Sequence, residues 1–597
     1  MRTFTLALLL TLPAGLAFTQ TQNQVGTPEQ MPVMAQKAAA PQAVSTFTAA
    51  LGAHYPFREN MYEPVALPDG RVMALSVARN DRQQTMQARY SSDEGRTWTE
   101  PKDLFEWPKS AGGCALFERL IDRHGEVQIF ILCDANTGVL YPKSPEGPSD
   151  PRNFALDIWH NSSSGHRTKW GTPKRIWKGP ASDLLSVIQM RNGRMILPFS
   201  FKRHNNYADP RPGFEGYTYF GQYSVTSIYS DDDGETWQTS PDVLSVQTPD
   251  LSTYGADEPQ IIQLKDGRVW MLLRTQRGRF YESFSSDGAH WSAPKPSKLI
   301  SSDSPAGLLR LKDGSLLLFS NACLRYPYAY GARYVLHGAI SNDEGRTWRG
   351  FRELLRDPHR NQPIDFDKAG DYGWSYTFPT LTAQGDVLFT NWVEEGKVRT
   401  FTLFNPSWLK ATRQETDFSN GIDDWTTFGS KGVEVENAPD GDGHVLHIHK
   451  ADATWPGAAV WNFPVGGNGT LKLSLMLKPG FHGANLGLTD HYSVPWDDED
   501  VFYNVFNLRI SANGEIMPGV KLAIGQWQEL ELTWNVNDRK CRISIDGKSV
   551  GSIQDNRRSY GINYLRLHTT SDTRDDGLLL RHVTADVSGS WPGSDGR

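Results

Sequence analysis

One eight-residue pattern recurs along this chain and limits its fold more than any other feature. Three copies fit S-x-D-x-G-x-T-W: SSDEGRTW from Ser91, SDDDGETW from Ser230 and SNDEGRTW from Ser341. A shortened copy, SSDGAHW, starts at Ser285, and a decayed copy, SSSGHRTKW, starts at Ser162. In such a turn the Asp accepts backbone N–H bonds, the Gly adopts a conformation that other residues avoid, and the Trp packs against a neighbouring unit. The pattern therefore predicts repeated β-units, and its Asp and Ser residues are structural rather than catalytic.

A second signal interleaves with the first. Six short apolar strands each follow a tight turn, in the segments LPDGRVMAL, RHGEVQIFIL, MRNGRMILPF, LKDGRVWMLL, LKDGSLLLFS and AQGDVLFTNW. Asp-Gly and Asn-Gly between apolar runs are strong hairpin signals, because both turn positions need φ > 0. Long amphipathic helical patterns are absent between these segments, which lie roughly 50 to 75 residues apart. We therefore expect four-stranded antiparallel units with insertions over residues 46–412.

The rest of the chain differs in character. Its 597 residues are too many for one hydrophobic core. Residues 1–17 combine Arg2 with a short apolar run and small residues, which predicts a signal peptide and a secreted or periplasmic protein. Residues 18–45 are rich in Gln, Ala, Thr and Pro and are predicted to form a flexible leader. Period-2 alternation in HVLHIHK, TLKLSLMLK, ELELTWNV and CRISIDGKSV predicts an antiparallel β-sandwich over residues 413–597.

Composition excludes several kinds of partner. The net charge of −7 and the pI near 6.1 give no reason to expect nucleic acid. The apolar run at the N-terminus is too short to span a bilayer and no other stretch approaches that length, so no integral membrane contact is expected. The sequence contains no nucleotide fingerprint, redox motif or zinc signature, so we expect no cofactor and no metal.

Cys114 and Cys133 flank a strand-like segment and could pair in an exported protein.

The interleaved hairpins and repeats resemble the sialidase (neuraminidase) superfamily, in which the repeat is called an Asp box or BNR repeat. The resemblance covers about 370 residues. It implies an all-β fold: a six-bladed β-propeller followed by the antiparallel β-sandwich. IDGKSVG near Ile545 also gives the second domain an architectural resemblance to laminin-G and concanavalin-like sandwiches. Because Asp boxes also occur in sortilin-like receptors and in propeller endo-glucanases, the case for an enzyme depends on the residues of the central face.

The resemblance implies a Tyr nucleophile and a Glu base. A free phenol has a pKa near 10, so an attacking Tyr needs a group that takes its proton. Tyr376 in WSYTFPTLTAQGD lies nine residues before Gly385, where the family's nucleophile is expected. Glu258 in GADEPQIIQLKDGR matches the position of the base.

Sialidases hold the substrate carboxylate with three arginines, because bidentate guanidinium contacts suit a planar anion. Arg333, eight residues before Ser341, matches the third of them. Arg274 and Arg279 in MLLRTQRGRF are the favoured candidates for the second.

The first family arginine belongs to an R-I-P motif, and here the chain departs from the family. The corresponding segment is FRENMYEPVALPDGR, and with Pro64 aligned we take Glu63 to replace that arginine. A carboxylate there would repel a substrate carboxylate. Either Arg58, which would need an insertion, takes the role, or the substrate differs.

The family's acid/base Asp lies on the loop between the first hairpin and the first Asp box. In SVARNDRQQTMQARYSSDEG, Asp81 is the single carboxylate before the box. Arg79 beside it is a candidate contact for an anion. Glu63 is the second candidate for protonating the leaving oxygen.

Three functions fit these observations. The first is an exo-acting glycoside hydrolase of sialidase type that releases a terminal acidic sugar from a glycan or glycoconjugate. The second keeps the fold but acts on polysaccharides containing uronic acid or rhamnose, as a hydrolase or as a lyase with His337 or His54 as its base. The third is a non-catalytic carbohydrate-binding protein.

Overall fold

The computed structural model describes thirteen segments of the chain, and no α-helix occurs within them. The described residues are 44–47, 63–80, 83–134, 156–179, 181–202, 223–246, 255–324, 333–356, 360–361, 374–392, 401–427, 430–495 and 499–593. Short 3-10 helices cover Lys109–Ala111, Pro406–Lys410 and Glu499–Tyr503. In these segments no helix is both long and apolar enough to cross a membrane. The all-β prediction is confirmed for this part of the chain, and the predicted signal peptide lies outside it.

Within the described segments up to Phe404, six antiparallel sheets, called the ring sheets below, follow one another along the chain. Strand β1 (Val44–Phe47) comes first but joins the last of them. The first ring sheet contains β2 (Glu63–Ala66), β3 (Val72–Asn80), β4 (Gln83–Ser91) and β5 (Lys102–Glu106). The second contains β6 (Gly113–Ile121), β7 (Val127–Asp134), β8 (Leu156–Ser164), β9 (Lys169–Trp170) and β10 (Lys174–Trp177). The third contains β11 (Ile188–Gln189), β12 (Met195–Lys202), β13 (Tyr223–Ser230) and β14 (Gln238–Thr239).

The remaining ring sheets repeat this plan. The fourth contains β15 (Asp257–Gln263), β16 (Val269–Arg274), β17 (Arg279–Ser285) and β18 (Lys295–Ile300). The fifth contains β19 (Gly307–Arg310), β20 (Leu316–Ser320), β21 (Val335–Ser341) and β22 (Thr347–Arg356). The sixth contains β23 (Ser375–Leu381), β24 (Val387–Trp392) and β25 (Phe401–Phe404), completed by β1.

The ring sheets close on one another. The first strand of each sheet lies at the inner side: β2 contacts both β6 and β23, β15 contacts β11 and β19, and β19 contacts β23. One apolar cluster joins Phe130 of the second sheet to Phe199 of the third. Strand β1 pairs with β25, so residues from Val44 onward, partly within the predicted leader, complete the sixth sheet. The sheets therefore form a closed ring with the inner strands at its centre.

The six predicted hairpins join the first and second strands of the six ring sheets, but their turn type differs from the prediction. In the first of them the Leu67 N–H donates to the Arg71 carbonyl at 2.8 Å, which leaves a three-residue loop. Only the glycine of each loop has a positive φ, as Gly70 does at 87°, whereas Asp69 does not. The expectation that both turn positions need φ > 0 was wrong, because a three-residue loop combines an ordinary type I turn with one left-handed glycine.

The complete Asp boxes share one hydrogen-bond pattern. Asp93 accepts bonds from Ser91 Oγ at 2.7 Å, Thr97 N at 2.8 Å and Thr97 Oγ1 at 2.6 Å. The same contacts recur at Asp232 and Asp343. All these carboxylate oxygens are used within their own turn, which fits a structural role.

Glu126 replaces the missing Asp in the decayed copy that starts at Ser162. Its carboxylate accepts bonds from Ser163 Oγ at 2.6 Å, His166 N at 2.7 Å and Arg167 N at 2.9 Å. Glu126 lies in the hairpin turn between β6 and β7 of the same sheet. Its carboxylate stabilises the turn between β8 and β9, where the Asp of the repeat is missing.

Each complete Asp box also ends in a Trp that contacts the preceding ring sheet. The ring contacts are Trp98 with Phe401 at 5.0 Å, Trp237 with Phe130 at 5.4 Å and Trp348 with Trp270 at 6.4 Å between centroids. Aromatic pairs at these separations contribute beyond their buried area. Because Phe401 belongs to the sixth sheet, the Trp98 contact helps to close the ring.

Cys114 and Cys133 lie opposite each other on β6 and β7 and form a disulfide, so the pairing that the sequence left open is present. Cys323 and Cys541 are buried and take no part in this disulfide.

The C-terminal part consists mainly of two sheets packed face to face on one apolar core. One sheet contains β26 (Arg413–Thr416), β28 (Val433–Asn437), β29 (His444–Ile448), β31 (Asn468–Leu477), β36 (Gln528–Asn535), β37 (Lys540–Ile545), β38 (Lys548–Gln554) and β40 (Leu578–Ser588). The other contains β27 (Trp425–Thr426), β30 (Ala458–Gly466), β32 (Gly483–Thr489), β33 (Phe506–Ser511) and β39 (Ile562–Thr569). A separate hairpin pairs β34 (Glu515–Met517) with β35 (Val520–Lys521).

The C-terminal part is fixed to the fifth ring sheet. Strand β41 (Trp591–Pro592) pairs with β22. The Tyr564 hydroxyl donates to Glu353 Oε1 at 2.6 Å and lies 2.7 Å from His337 Nε2. His337 is completely buried, and burial lowers its pKa to about 4. His337, one of the two candidate lyase bases, therefore lies inside this interface and is closed to a polysaccharide.

Candidate active site

Glu258 and Tyr376 stand near the start of two inner strands, β15 and β23. In both strands the pairing register shifts at this point, between Asp257 and Gln260 in one and between Ser375 and Phe378 in the other. Glu258 has a φ of 44° and Tyr376 a φ of 58°, in the left-handed region that non-glycine residues rarely adopt. Such bulges re-aim side chains and cluster at functional sites.

The two side chains meet although they belong to the fourth and sixth ring sheets. The Tyr376 hydroxyl donates to Glu258 Oε1 at 2.6 Å. Arg274, at the end of β16, donates from Nη1 to the Tyr376 oxygen at 3.0 Å and also to Glu258 Oε2. The structure therefore brings together three of the residues that the sequence suggested.

Asp303 is a fourth member of the site, and no motif in the sequence marks it. Its Oδ1 accepts a bond from Arg274 Nε at 2.8 Å, and its Oδ2 accepts one from Gln276 Nε2 at 3.1 Å. Its backbone carbonyl accepts bonds from Arg333 Nε at 3.3 Å and Nη2 at 3.0 Å. One residue therefore orients both Arg274 and Arg333.

Arg333 lies against the face of the candidate nucleophile. Its guanidinium carbon is 5.1 Å from the centroid of the Tyr376 ring. A cation at this distance is attracted by the ring and favours a negative charge on the phenol oxygen.

The electrostatics of the site keep Tyr376 protonated at rest. Burial, and then the charge of Glu258, raise the pKa of the Tyr376 phenol above its ordinary value, while Arg274 and Arg333 oppose the shift. A neutral phenol is a weak nucleophile. The hydrogen-bonded Glu258 carboxylate can take its proton, and the two guanidinium groups can stabilise the phenolate as it forms.

A buried carboxyl pair supports Glu258 from behind. Ser200 Oγ is hydrogen-bonded to both Asp183 Oδ2 and Asp257 Oδ1. A hydroxyl has one proton, so at least one of the carboxyl groups must itself be protonated. Asp257 Oδ1 also accepts the Glu258 backbone N–H at 3.0 Å, which fixes the unusual backbone of Glu258.

Burial and the neighbouring acidic charges raise the pKa of both groups. The pKa of Asp257 rises to about 6, and that of Asp183 rises well above its usual value. Since these groups ionise near pH 3.8 when unfolded, the folded protein holds protons that the unfolded chain has released. The wild type therefore loses stability as the pH rises from about 4 towards 6.

Asp183→Asn should remove part of this loss, because an amide resembles the protonated carboxyl and cannot ionise. The thermal midpoint of the variant, relative to the wild type, should rise as the pH increases from about 4.5 to about 6.5. One titrating group accounts for up to about 1.4 kcal/mol per pH unit. The exposed Asp572→Asn serves as the control. A difference in midpoint that does not change with pH would show that Asp183 is ionised in the folded protein.

Glu63, the predicted replacement for the first arginine, is at the first position of β2 and almost fully buried. Its Oε2 lies 3.6 Å from Arg119 Nε. Arg119 also donates to the Pro64 carbonyl, so this pair ties the first and second ring sheets together. Counting back from Pro64 also corrects the alignment: the arginine of R-I-P falls on Tyr62, outside the described residues, and Glu63 takes the isoleucine position.

The remaining predicted residues either make other contacts than those around Tyr376 or fall outside the described residues. Arg279 is exposed on β17 and donates to the Ser297 carbonyl at 3.4 Å, apart from the Tyr376 contacts described above. Arg79 lies on β3, paired in register with Gln84. The predictions for Asp81, Arg58 and His54 fall outside the described residues.

Comparisons with known proteins find sialidases among the proteins that this chain resembles. Residues 139–390 match the family model of the BNR repeat-like domain. A sialidase of Micromonospora viridifaciens is 27% identical over 345 residues, which are 54% of this chain and 46% of the relative. The chain thus spans about half the length of that curated relative.

Solved structures give weaker similarity. Trypanosoma rangeli sialidase in complex with sialic acid has a TM-score of 0.40 at 14% identity, over 92% of this chain and 96% of that one. The Hadza microbial sialidase Hz136 has a TM-score of 0.41 at 17% identity, over 58% of this chain and 66% of that one.

Proposed function

We propose that this chain is an exo-acting glycoside hydrolase of sialidase type, which releases a terminal acidic sugar from a glycan or glycoconjugate. The observation that carries the proposal is the Tyr376 hydroxyl, 2.6 Å from Glu258 Oε1, with Arg274 Nη1 3.0 Å from the same phenol oxygen. A nucleophile, its base and a stabilising cation occupy one site, which is the arrangement that nucleophilic catalysis requires. The curated relative named a sialidase supports the same class.

In the proposed reaction Tyr376 attacks the anomeric carbon while Glu258 takes its proton. The bond from that carbon to the leaving oxygen breaks, and the leaving oxygen takes a proton from an acid, for which we propose Asp81. Water, with its proton passed back to that acid, then cleaves the tyrosyl–sugar bond, and the released Tyr376 recovers its proton from Glu258. Two displacements at one carbon retain its configuration.

The acidic character of the proposed sugar follows from charge. A neutral phenol suits a substrate that carries its own carboxylate, since an anionic nucleophile would be repelled. Arg333, half-buried beside Tyr376, and Arg274 supply the cations that a planar carboxylate prefers. Glu63 is buried and paired with Arg119, so we propose no proton transfer from it.

We further propose that the six ring sheets are the blades of a six-bladed propeller. The number of sheets and the contacts of their inner strands support this architecture. The two packed C-terminal sheets would then form a β-sandwich with a carbohydrate-binding or spacer role. Residues 1–17 would direct export, with the mature protein secreted or periplasmic.

A panel of aryl glycosides tests the proposal. It should include sialic acid, glucuronic acid and rhamnose, each with a leaving group whose release is measured by absorbance. We expect turnover of an acidic sugar with retention. Turnover of rhamnose alone would favour the polysaccharide-directed alternative, and turnover of none would contradict exo-hydrolysis.

Arg333→Gln tests the acidic substrate. Loss of one charge-assisted contact should raise KM for the acidic glycoside by about tenfold or more, because such hydrogen bonds are each worth roughly 1.5–3 kcal/mol. Steady-state kinetics measure this, with Arg349→Gln on the exposed side of β22 as the matched control. An unchanged KM in Arg333→Gln would mean that this guanidinium does not contact the sugar.

A further inference from the structure

The outer face of the C-terminal part carries a cluster unrelated to the proposed catalytic site. Strand β29 has the sequence HVLHI followed by His449, in which Leu446 and Ile448 point into the apolar core. Because side chains alternate along a strand, His447 and His449 share the opposite face. The neighbouring edge strand β28 places Glu434 directly across from His447.

Glu436 of β28 also belongs to this cluster, and its four polar side chains contact one another in pairs. His447 Nδ1 lies 2.8 Å from Glu436 Oε1, and His449 Nε2 lies 3.2 Å from Glu434 Oε1. The two imidazole rings are nearly parallel, with centroids 4.3 Å apart. One ligand atom each from Glu434, His447 and His449 lies within 4.8 Å of the others.

A backbone carbonyl orients the ring of His447. Its Nε2 lies 2.8 Å from the Asp576 carbonyl oxygen, which can only accept a hydrogen bond, so Nε2 carries a proton. The other nitrogen, Nδ1, contacts Glu436 Oε1, and a bound ion would replace this hydrogen bond. Histidines that bind metals commonly donate their second N–H to a carbonyl or carboxylate in this way, which orients the ring and makes the ligating nitrogen more basic.

We propose that Glu434, His447 and His449 bind a divalent transition-metal ion, with Zn²⁺ as the best match, and that Glu436 or water completes the coordination. Two imidazoles and a carboxylate are ligands that Zn²⁺ accepts at about 2.0–2.2 Å. Binding needs the ligand atoms to draw closer. Glu434 can do so, because its side chain is 58% exposed, while His447 is held in place and His449 is largely covered.

The ion would tie β28, the edge strand of its sheet, to β29. It would therefore act on the stability of this edge and leave the ring sheets unchanged. This inference is independent of the proposed hydrolase function.

Zinc binding by the untagged full chain tests the proposal. After treatment with a chelator, titration calorimetry with Zn²⁺ should give one site of low-micromolar affinity or tighter, and Zn²⁺ should raise the thermal midpoint by a few degrees. Both His449→Gln and Glu434→Gln should weaken binding by at least tenfold. His444→Gln, exposed on the same strand, should bind like the wild type.

Three results would overturn the inference: no binding by the wild type at about 100 µM Zn²⁺, normal binding by His449→Gln, or an equal loss in the His444 control. Glu434→Gln changes only an exposed side chain, so the test does not depend on a variant that disturbs the fold.

Discussion

Tyr376→Phe should lower kcat by about a thousandfold or more while leaving the protein folded, since removal of a covalent nucleophile alone can nearly abolish an enzyme's rate. The change deletes one oxygen and keeps the ring, so the stacking of Arg333 on its face is preserved. Substrate affinity should therefore change much less than kcat. Initial rates on the glycoside that the wild type hydrolyses, with a thermal midpoint for each protein, measure both effects.

Tyr90→Phe is the matched control for this change. Tyr90 lies on β4 of the first ring sheet, beneath Arg71, and is partly buried like Tyr376. Its variant should keep the wild-type kcat. If Tyr376→Phe retains a rate within tenfold of the wild type, the phenol is not the nucleophile.

Glu258→Gln should reduce kcat by about 10²–10⁴-fold, the range typical for loss of a general base. The amide keeps the shape of the side chain but cannot take the proton of Tyr376. The charge of Glu258 also raises the pKa of that phenol, whereas Arg274 and Arg333 lower it. Without Glu258 the pKa of Tyr376 should fall, and the residual rate should grow with pH as more phenolate forms.

A pH profile from about 6 to 9 measures this second effect. Glu235→Gln, exposed on the third ring sheet's Asp box, is the control and should follow the wild-type profile. A residual rate in Glu258→Gln that stays flat over this range would contradict the assignment of Glu258 as the base of Tyr376.

Local sequence signals were sufficient to find the repeating units. Asp boxes and Gly turns act within a few residues, and both recur in the structure at the predicted places. The turn type was mispredicted because Asp-Gly also occurs in three-residue loops, where Asp69 keeps an ordinary conformation and Gly70 alone is left-handed. The decayed repeat at Ser162 could not be explained from sequence, since Glu126 reaches it from another turn.

Local sequence signals do not identify the residues that support the site. Tyr376, Glu258 and Arg274 were suggested by their positions relative to turns and boxes. Asp303 and Asp183 have no motif, because each contacts the site across neighbouring sheets: Asp303 reaches Arg274, and Asp183 reaches Asp257 through Ser200. Only the folded structure shows that Asp183 and Asp257 share one hydroxyl, because the three residues are far apart in the sequence.

The proposed reaction requires a covalent bond between Tyr376 and the sugar. Its most direct test is mass spectrometry of the protein after incubation with a fluorinated analogue of the sugar it hydrolyses, in which fluorine beside the anomeric carbon slows breakdown of the intermediate. We predict a single adduct on the peptide that contains Tyr376. An adduct on an Asp or Glu, or hydrolysis of the parent sugar with no adduct on Tyr376, would contradict the account.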